Sequence, residues 1–426
     1  MLISSDSVKK LAEYVENRDE VFCSGLFLSA RWMVVSQLDV LGIQLIVLPD
    51  RDSAEYCAAD LYHLIEGDRV YFLPDSGKNL ERSNYKSSLG VQRTSAIGKI
   101  LEYREGEQMI VVTYPSALEE IIPEKGKISG SLLKLVVGEE RSYEEIKEIL
   151  FSSGFERVDF VSEPGQFAVR GALIDIFSYS FNNPFRISFF GDEIESINIF
   201  DANTQLSKEK VDYVDIYPDL SSSEDGEGSM VTDILPEDTL VWLDSSDMYK
   251  DKSFFPELKK FRNIYMELPL SRQDEDAVRF NISPQPVFSK NFELLTEDIR
   301  NKIENGFRVR IYGEKQSQLE RLKSILSQNG GIFPEFVSGS NIHNGFIDND
   351  NKVCCYSDHE IFDRFHRVSI RRTVEKSEQL TINDLTSFAI GDYIVHIDYG
   401  VGVFGGLVRM KDDKGRMHEV VKLTYK

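Results

Sequence analysis

Two arginines stand where apolar side chains would be easier to bury. Arg170 closes the run QFAVR just before Gly171, and Arg186 follows Phe185 inside a second apolar run, FRISFF. If both lie on one exposed sheet face with Phe190, they form an arginine and aromatic patch of the kind that anchors protein interfaces. The plainer reading is that each points to solvent, or pairs with Asp175, Asp192 or Glu193.

A second constellation follows the first strand-like run, where α/β folds bind phosphate. SGLFLSARW keeps Gly25 of the pattern GxxxxGK[ST] but places Ala30, Arg31 and Trp32 where glycine, lysine and a hydroxyl residue belong. A nucleotide site needs an open glycine backbone, a lysine on the β- and γ-phosphates and a hydroxyl on magnesium. Trp32 supplies no hydroxyl and fills the space, which leaves Arg31 as the sole group that could meet an anion.

Metal and redox chemistry find little support. The four cysteines, Cys23, Cys57, Cys354 and Cys355, form no CxxC pair, and the six histidines are scattered. Reduced structural thiols and no metal site are expected. The formal net charge of −22 opposes general binding to phosphate backbones and favours protein partners. Arg364 to Lys376 is a local exception, with Arg364, Arg367, Arg371, Arg372 and Lys376 reading as a solvated helical face or basic linker.

The elements that must position these groups can be read from periodicity. Helix and strand signals alternate through residues 1–122: helix from Val8 to Val15, strand at Val21 to Cys23, helix from Ala30 to Leu41, strand from Leu45 to Leu48. Helix Ala54 to Ile65, strand Val70 to Leu73, helix Ser95 to Leu101 and strand Met109 to Thr113 follow. That alternation implies an α/β domain with a parallel sheet. Residues 123–210 read as an inserted α+β module: a strand at Lys134 to Val137, a helix capped by Ser142 with Glu145 completing a capping box, and a strand before an antiparallel meander from Gln166. Ile146, Ile149, Leu150 and Phe151 would pack that helix on the meander and leave its other face free. LSSSEDGEGS reads as a mobile polar linker. Residues 211–283 return to the first domain, although Asp251 to Asn281 resolve into no motif. Residues 286–365 read as a small α/β domain, with Asn329-Gly330 stopping its second helix, 366–384 as a basic linker, and 385–426 as a small β-barrel of Tudor or SH3 type. Asp412 to Gly415 would be a hairpin turn in that barrel.

Within this frame PGQFAVRGALIDIF, FRISFFGDEIESINIFD and the following Thr204-Gln205 resemble the module shared by UvrB and the transcription-repair coupling factor (Mfd) family, which binds UvrA in both. The resemblance places Arg170, Arg186 and Phe190 at UvrA-contacting positions. ILPEDTLVWLDSS resembles the segment that ends in the Asp-Glu of a helicase metal site, with Asp244 kept and Ser245 in place of the glutamate. It implies a degenerate UvrB/RecA-like domain that hydrolyses no ATP. PDSGKNLERSNYKSSLGVQRTS replaces UvrB's long tyrosine-rich, DNA-clamping hairpin and carries one tyrosine, Tyr85, so the likeness is to the coupling factors. GDYIVHIDYGVGVFGGL resembles their RNA-polymerase-interacting, CarD-like domain, which implies a polymerase contact, through the β subunit, within Gly391 to Lys426.

The resemblance implies that these residues are the N-terminal, recruiting part of a longer cytoplasmic protein, with the barrel incomplete. ATP, magnesium and double-stranded DNA would be handled by motor domains outside them. The full protein would be a translocase that displaces stalled polymerase in nucleotide excision repair, and no membrane association is expected. The alternatives are a UvrB-like ATP-dependent damage binder, an enzyme reading that needs nucleotide at Gly25 to Trp32, or an interaction scaffold unrelated to repair.

Overall fold

A computed structural model of the chain describes residues 6–65, 67, 69–77, 83–124, 126, 128, 132–181, 183–202, 204–223, 228–268, 276–328, 334–364, 391–396, 400–411 and 417–425. It is a mixed α/β structure in two compact units, Met1–Thr373 and Val374–Lys426.

The first unit is built on a seven-stranded sheet, parallel throughout. Its order is Val278–Arg279, Glu20–Ser24, Arg262–Tyr265, Leu240–Leu243, Gly42–Val47, Gln108–Thr113 and Val70–Phe72. Gly42–Val47 is buried at all six positions, as a strand covered on both faces must be. Helices Asp6–Asn17, Ala30–Gln37 and Arg51–Leu64 pack on one face through Leu11, Val15, Val34, Ala58 and Leu61. Ser83–Glu102 covers the other, with Ile97 and Ile100 against Tyr249, Phe254 and Leu258.

Three sequence expectations change here. The segment without a motif, Asp251 to Asn281, supplies the interior strand Arg262–Tyr265. That strand is four residues long and carries a buried polar residue, Asn263, whose Nδ2 donates to the carbonyls of Leu258 and Phe261. The helix expected over Ser95 to Leu101 runs from Ser83 through Gly90 and Gly98, and Gly98 sits where a Cβ would be 3.4 Å from the Tyr217 ring. The linker expected to be mobile begins with buried Leu220 and Ser221, because buried Arg93 reaches the Ser221 carbonyl at 2.7 Å and also holds those of Pro74, Ala117 and Glu120.

The inserted module carries a six-stranded sheet, ordered Ser207–Val211, Glu193–Phe200, Phe185–Phe190, Leu173–Phe177, Gln166–Arg170 and Glu156–Arg157. All its pairings are antiparallel except the last. Tyr213–Ile216 pairs with Leu133–Val136, so the module extends past the residue 210 read from sequence and closes on its own first strand. Apolar positions alternate inward: Phe167, Ile174, Ile176, Ile187, Phe189, Ile194 and Ile197 form one core with Ile146 and Leu150 of helix Tyr143–Ser152. Phe151 is not part of it. One residue past Leu150 turns its side chain off the packing stripe, and it is 70% exposed. Ser142 occupies the N-cap position, but its side chain makes no capping bond, and Glu145 instead lies 3.7 Å from Arg141.

The small α/β part has a five-stranded sheet, ordered Ile282–Pro284, Phe346–Asp348, Val353–Ser357, Arg308–Gly313 and Glu335–Ser338. Helices Phe292–Glu304 and Gln316–Gln328 pack on it. Tyr312, Ile342, Phe346, Val353 and Cys355 join the core of the seven-stranded sheet, so the two parts share one apolar interior.

The second unit shows a three-stranded antiparallel sheet, Tyr393–His396, Gly400–Lys411 and Met417–Thr424, with Lys411 opposite Met417. The expected turn at Asp412 to Gly415 and the helix stop at Asn329-Gly330 lie outside the described residues. So does the basic stretch after Arg364, whose guanidinium lies over the Phe362 ring.

Candidate functional site

Strand alternation decides which of the module's residues can meet a partner. With Phe167, Ile174 and Ile187 turned to the core, Arg170, Asp175, Arg186 and Phe190 fall on the opposite face. Register then sets the neighbours. Asp175 stands directly across from Arg186, and Arg170 stands opposite Leu173, which shares the face of Asp175 one pleat earlier on the same strand.

The Asp175 carboxylate has no exposure and both arginines close on it. Arg186 donates from Nε to Oδ1 at 2.7 Å and from Nη2 to Oδ2 at 2.9 Å, a bidentate fork, and Arg170 donates to the same Oδ2. Hydrogen bonding to Asp175 is the largest influence on Arg186 and holds its pKa above the ordinary guanidinium range against its partial burial. Each guanidinium also lies on an aromatic ring: Arg186 is 4.4 Å from the centroid of buried Phe200, and Arg170 is 4.8 Å from that of exposed Phe160. One carboxylate between two arginines leaves the cluster at +1. Phe190 stands at the end of its strand before Gly191, 79% exposed.

The structure therefore brings together the three residues singled out in the sequence, and combines the two readings of the arginines. They sit on one face with Phe190, and they pair with Asp175. The expectation of a free outer face changes, because Val161, Phe177 and Phe200 build a small second core over part of it. Phe160, Phe200 and Gln205 were missed as neighbours. Phe200 and Gln205 carried a signal, since both lie in the segments that bear the resemblance, while Phe160 lies in VDFV, which reads as strand.

The loop after Glu20–Ser24 does not fit a nucleotide. Gly25 has φ +68°, and a Cβ there would lie 2.1 Å from the Phe280 carbonyl oxygen, so another backbone crosses the glycine that phosphate would need open. Trp32 is buried. Arg31 donates from Nη1 to Asp244 at 2.5 Å, so the two charges neutralise each other, and burial together with Asp244 pushes the nearby Glu267 carboxyl up. Ser245, in the left-handed region at φ 53°, turns the chain away after the strand.

The small α/β part occupies what remains. The Asn344 amide donates to Ser29 Oγ at 3.0 Å, Ser29 Oγ donates to Asp60 at 2.6 Å, and the His343 amide donates to Asp60 at 2.8 Å. The His343 ring stacks on Tyr56. Asp60 is fully buried, which pushes its carboxyl up to about 7, with the two hydrogen bonds opposing. Nothing in the sequence marked Asp60, which sits inside an ordinary helical pattern.

The cavity of about 540 Å³ at the carboxyl ends of the parallel strands is lined by charges that satisfy one another, Arg51 with Asp75 and Lys252 with Glu119. The cysteines are buried, and burial raises the Cys23 and Cys355 thiols to about 12, which makes them poor nucleophiles. Among the described residues no helix is long and apolar enough to cross a membrane.

Comparison with known proteins agrees with the resemblance read from the sequence. Residues 133–221 match the UvrB interaction domain, and residues 388–426 match the CarD-like/TRCF RID domain. The chain is 21% identical to a transcription-repair-coupling factor of Borreliella burgdorferi over 96% of its own length and 42% of that protein's. It is 19% identical to one of Staphylococcus aureus over 100% of this chain and 45% of that protein. Against the Bacillus subtilis factor it is 31% identical over 39% of this chain and 14% of that protein. The chain thus resembles the N-terminal portion of these factors, and spans less than half the length of the relatives it matches along its whole length.

Proposed function

We propose that this chain is the recruiting portion of a transcription-repair coupling factor, and that its inserted module binds UvrA. The observation that carries the reading is the face bearing Arg170, Arg186 and Phe190. A largely exposed phenylalanine shares a sheet face with two guanidiniums held in fixed orientation by one buried carboxylate, within residues that match the UvrB interaction domain. Oriented guanidinium and exposed aromatic are the side chains that dominate binding energy at interfaces.

The seven-stranded domain acts as a degenerate UvrB/RecA-like scaffold in this reading. Its former nucleotide loop serves domain docking, and ATP with magnesium belongs to motor domains elsewhere in the protein. The second unit contacts RNA polymerase through its CarD-like sheet, so that polymerase and UvrA are held by one molecule.

Calorimetry of UvrA against this chain and against Arg170→Ala plus Arg186→Ala, at two salt concentrations, tests the proposal. Saturable binding that weakens in the variant and with salt is the expected result. Unchanged binding in the variant would remove the site assignment, and retention of neither UvrA nor polymerase would favour the unrelated scaffold.

A further inference from the structure

The three residues do not account for the apolar surface around them. Two loops cross the same face beside the arginine cluster, and each ends in an exposed apolar side chain. Phe160 is 60% exposed and Leu206 is 69% exposed. Neither contributes to a core: the buried neighbours are Val161 and Phe200, while Phe160 and Leu206 point away from them.

Both loops are fixed to the cluster and to each other. The Phe160 ring lies under the Arg170 guanidinium. Gln205 joins the rest: its Nε2 donates to the Ala202 carbonyl at 2.7 Å and the Val161 carbonyl at 3.4 Å, while its own carbonyl and Oε1 each receive Arg186 at 3.4 Å. Gln205 adopts φ +60°, a conformation that disfavours a side chain and is kept where surroundings impose it. Backbone bonds from Gln205 to Asp201 at 2.7 Å and from Asp201 to Leu206 at 2.9 Å impose it here. A turn held this firmly presents a leucine to water.

We propose that the UvrA-binding surface continues across these loops, with Phe160 and Leu206 as contact residues and Gln205 as the residue that positions them. This extension rests on the UvrA reading above. The occupant it requires is a UvrA surface with a carboxylate facing the net positive cluster and apolar side chains around it, because a +1 centre with an apolar rim on a chain of net charge −22 complements only such a surface. A charged strand alone would leave Phe160, Phe190 and Leu206 without a dry partner.

The test is calorimetry of UvrA against the full chain carrying Phe160→Ala or Leu206→Ser, with Phe151→Ala as control. Phe151 is as exposed as the other two but projects from helix Tyr143–Ser152, on the layer that covers the sheet's other face. The expected result is about tenfold weaker binding for Phe160→Ala, somewhat less loss for Leu206→Ser and none for Phe151→Ala. A melting curve matching the parent's shows that each variant is folded; if Phe160→Ala is not, Leu206→Ser carries the decision alone. Parental affinity in both loop variants, with Arg170→Ala still weakened, would overturn the extension and leave the UvrA reading standing. Absence of binding by the parent would overturn both.

Discussion

Replacing Asp175 by asparagine separates two ways in which the arginine cluster could attract a partner. The substitution keeps the side chain's shape and raises the cluster from +1 to +2. If UvrA responds to net charge alone, affinity rises. One added charge roughly 7 Å from a partner carboxylate is worth about 0.6 kcal/mol in water, and less with salt. If orientation matters, affinity falls. An asparagine in this place has one acceptor oxygen, able to take at most two of the three hydrogen bonds that Asp175 accepts, and its amide protons would face guanidinium donors. Arg170 and Arg186 would leave the face and have to be re-ordered on binding, at about 1.5 to 2 kcal/mol for each arginine fully freed. Even with half of that ordering retained, the re-ordering exceeds the gain in attraction by about 1 kcal/mol, and with none retained by about 3 kcal/mol. UvrA binding by Asp175→Asn should therefore be roughly five- to a hundredfold weaker than the parent's. Calorimetry at low and moderate salt reads this directly, and hydrogen exchange of strands Leu173–Phe177 and Phe185–Phe190 reports whether the sheet has held. Tighter binding at low salt with parental exchange would refute the argument that the carboxylate works by orienting the guanidiniums.

Three other outcomes follow from the first domain. A fluorescent ATP analogue titrated against the chain should show no saturable binding, since Arg31 is committed to Asp244 and Trp32 is buried; saturation would reinstate the enzyme reading. Asp60 keeps its proton to about pH 7 in the folded chain and releases it near 4 when unfolded, so the folded state binds the extra proton between those values. Stability of the first unit should then fall as pH rises from about 4 to 7, by at most about 1.4 kcal/mol per unit, and level off above. Thermal melts of the parent should show this slope and those of Asp60→Asn should lose it; identical profiles would reject the assignment. Gly25→Ala should destabilise by about 2 kcal/mol or more, because the new methyl meets the Phe280 carbonyl and the backbone is left-handed there, and unchanged urea unfolding would contradict it.

What the sequence conveyed, and what it withheld, divides along the range of the interactions. Strands such as Gly42–Val47 and Gln108–Thr113 are long, apolar and bounded by turn residues, so local pattern finds them. Arg262–Tyr265 is just as central but owes its place to neighbours on both sides, and a four-residue strand with Asn263 in it has no period to detect. The candidate site was legible to the extent that it follows strand alternation: Arg170, Arg186 and Phe190 share a face by parity. Phe160 and Gln205 reach the cluster through loops, where no parity applies, and Asp60 is identified as unusual only by its contacts with Ser29, far along the chain, and with His343, farther still.

The loop after Glu20–Ser24 is closed by more than the three side chains that depart from a nucleotide motif. Restoring glycine, lysine and serine at Ala30, Arg31 and Trp32 would rebuild the letters of a nucleotide motif without reopening its space. The Phe280 carbonyl would still lie across Gly25, the Asn344 amide would still be anchored to Ser29, and the lysine at position 31 would still have Asp244 to neutralise. The contact between Asn344 and Ser29 also joins the two α/β parts, so opening this loop to a phosphate would require pulling apart a shared interior.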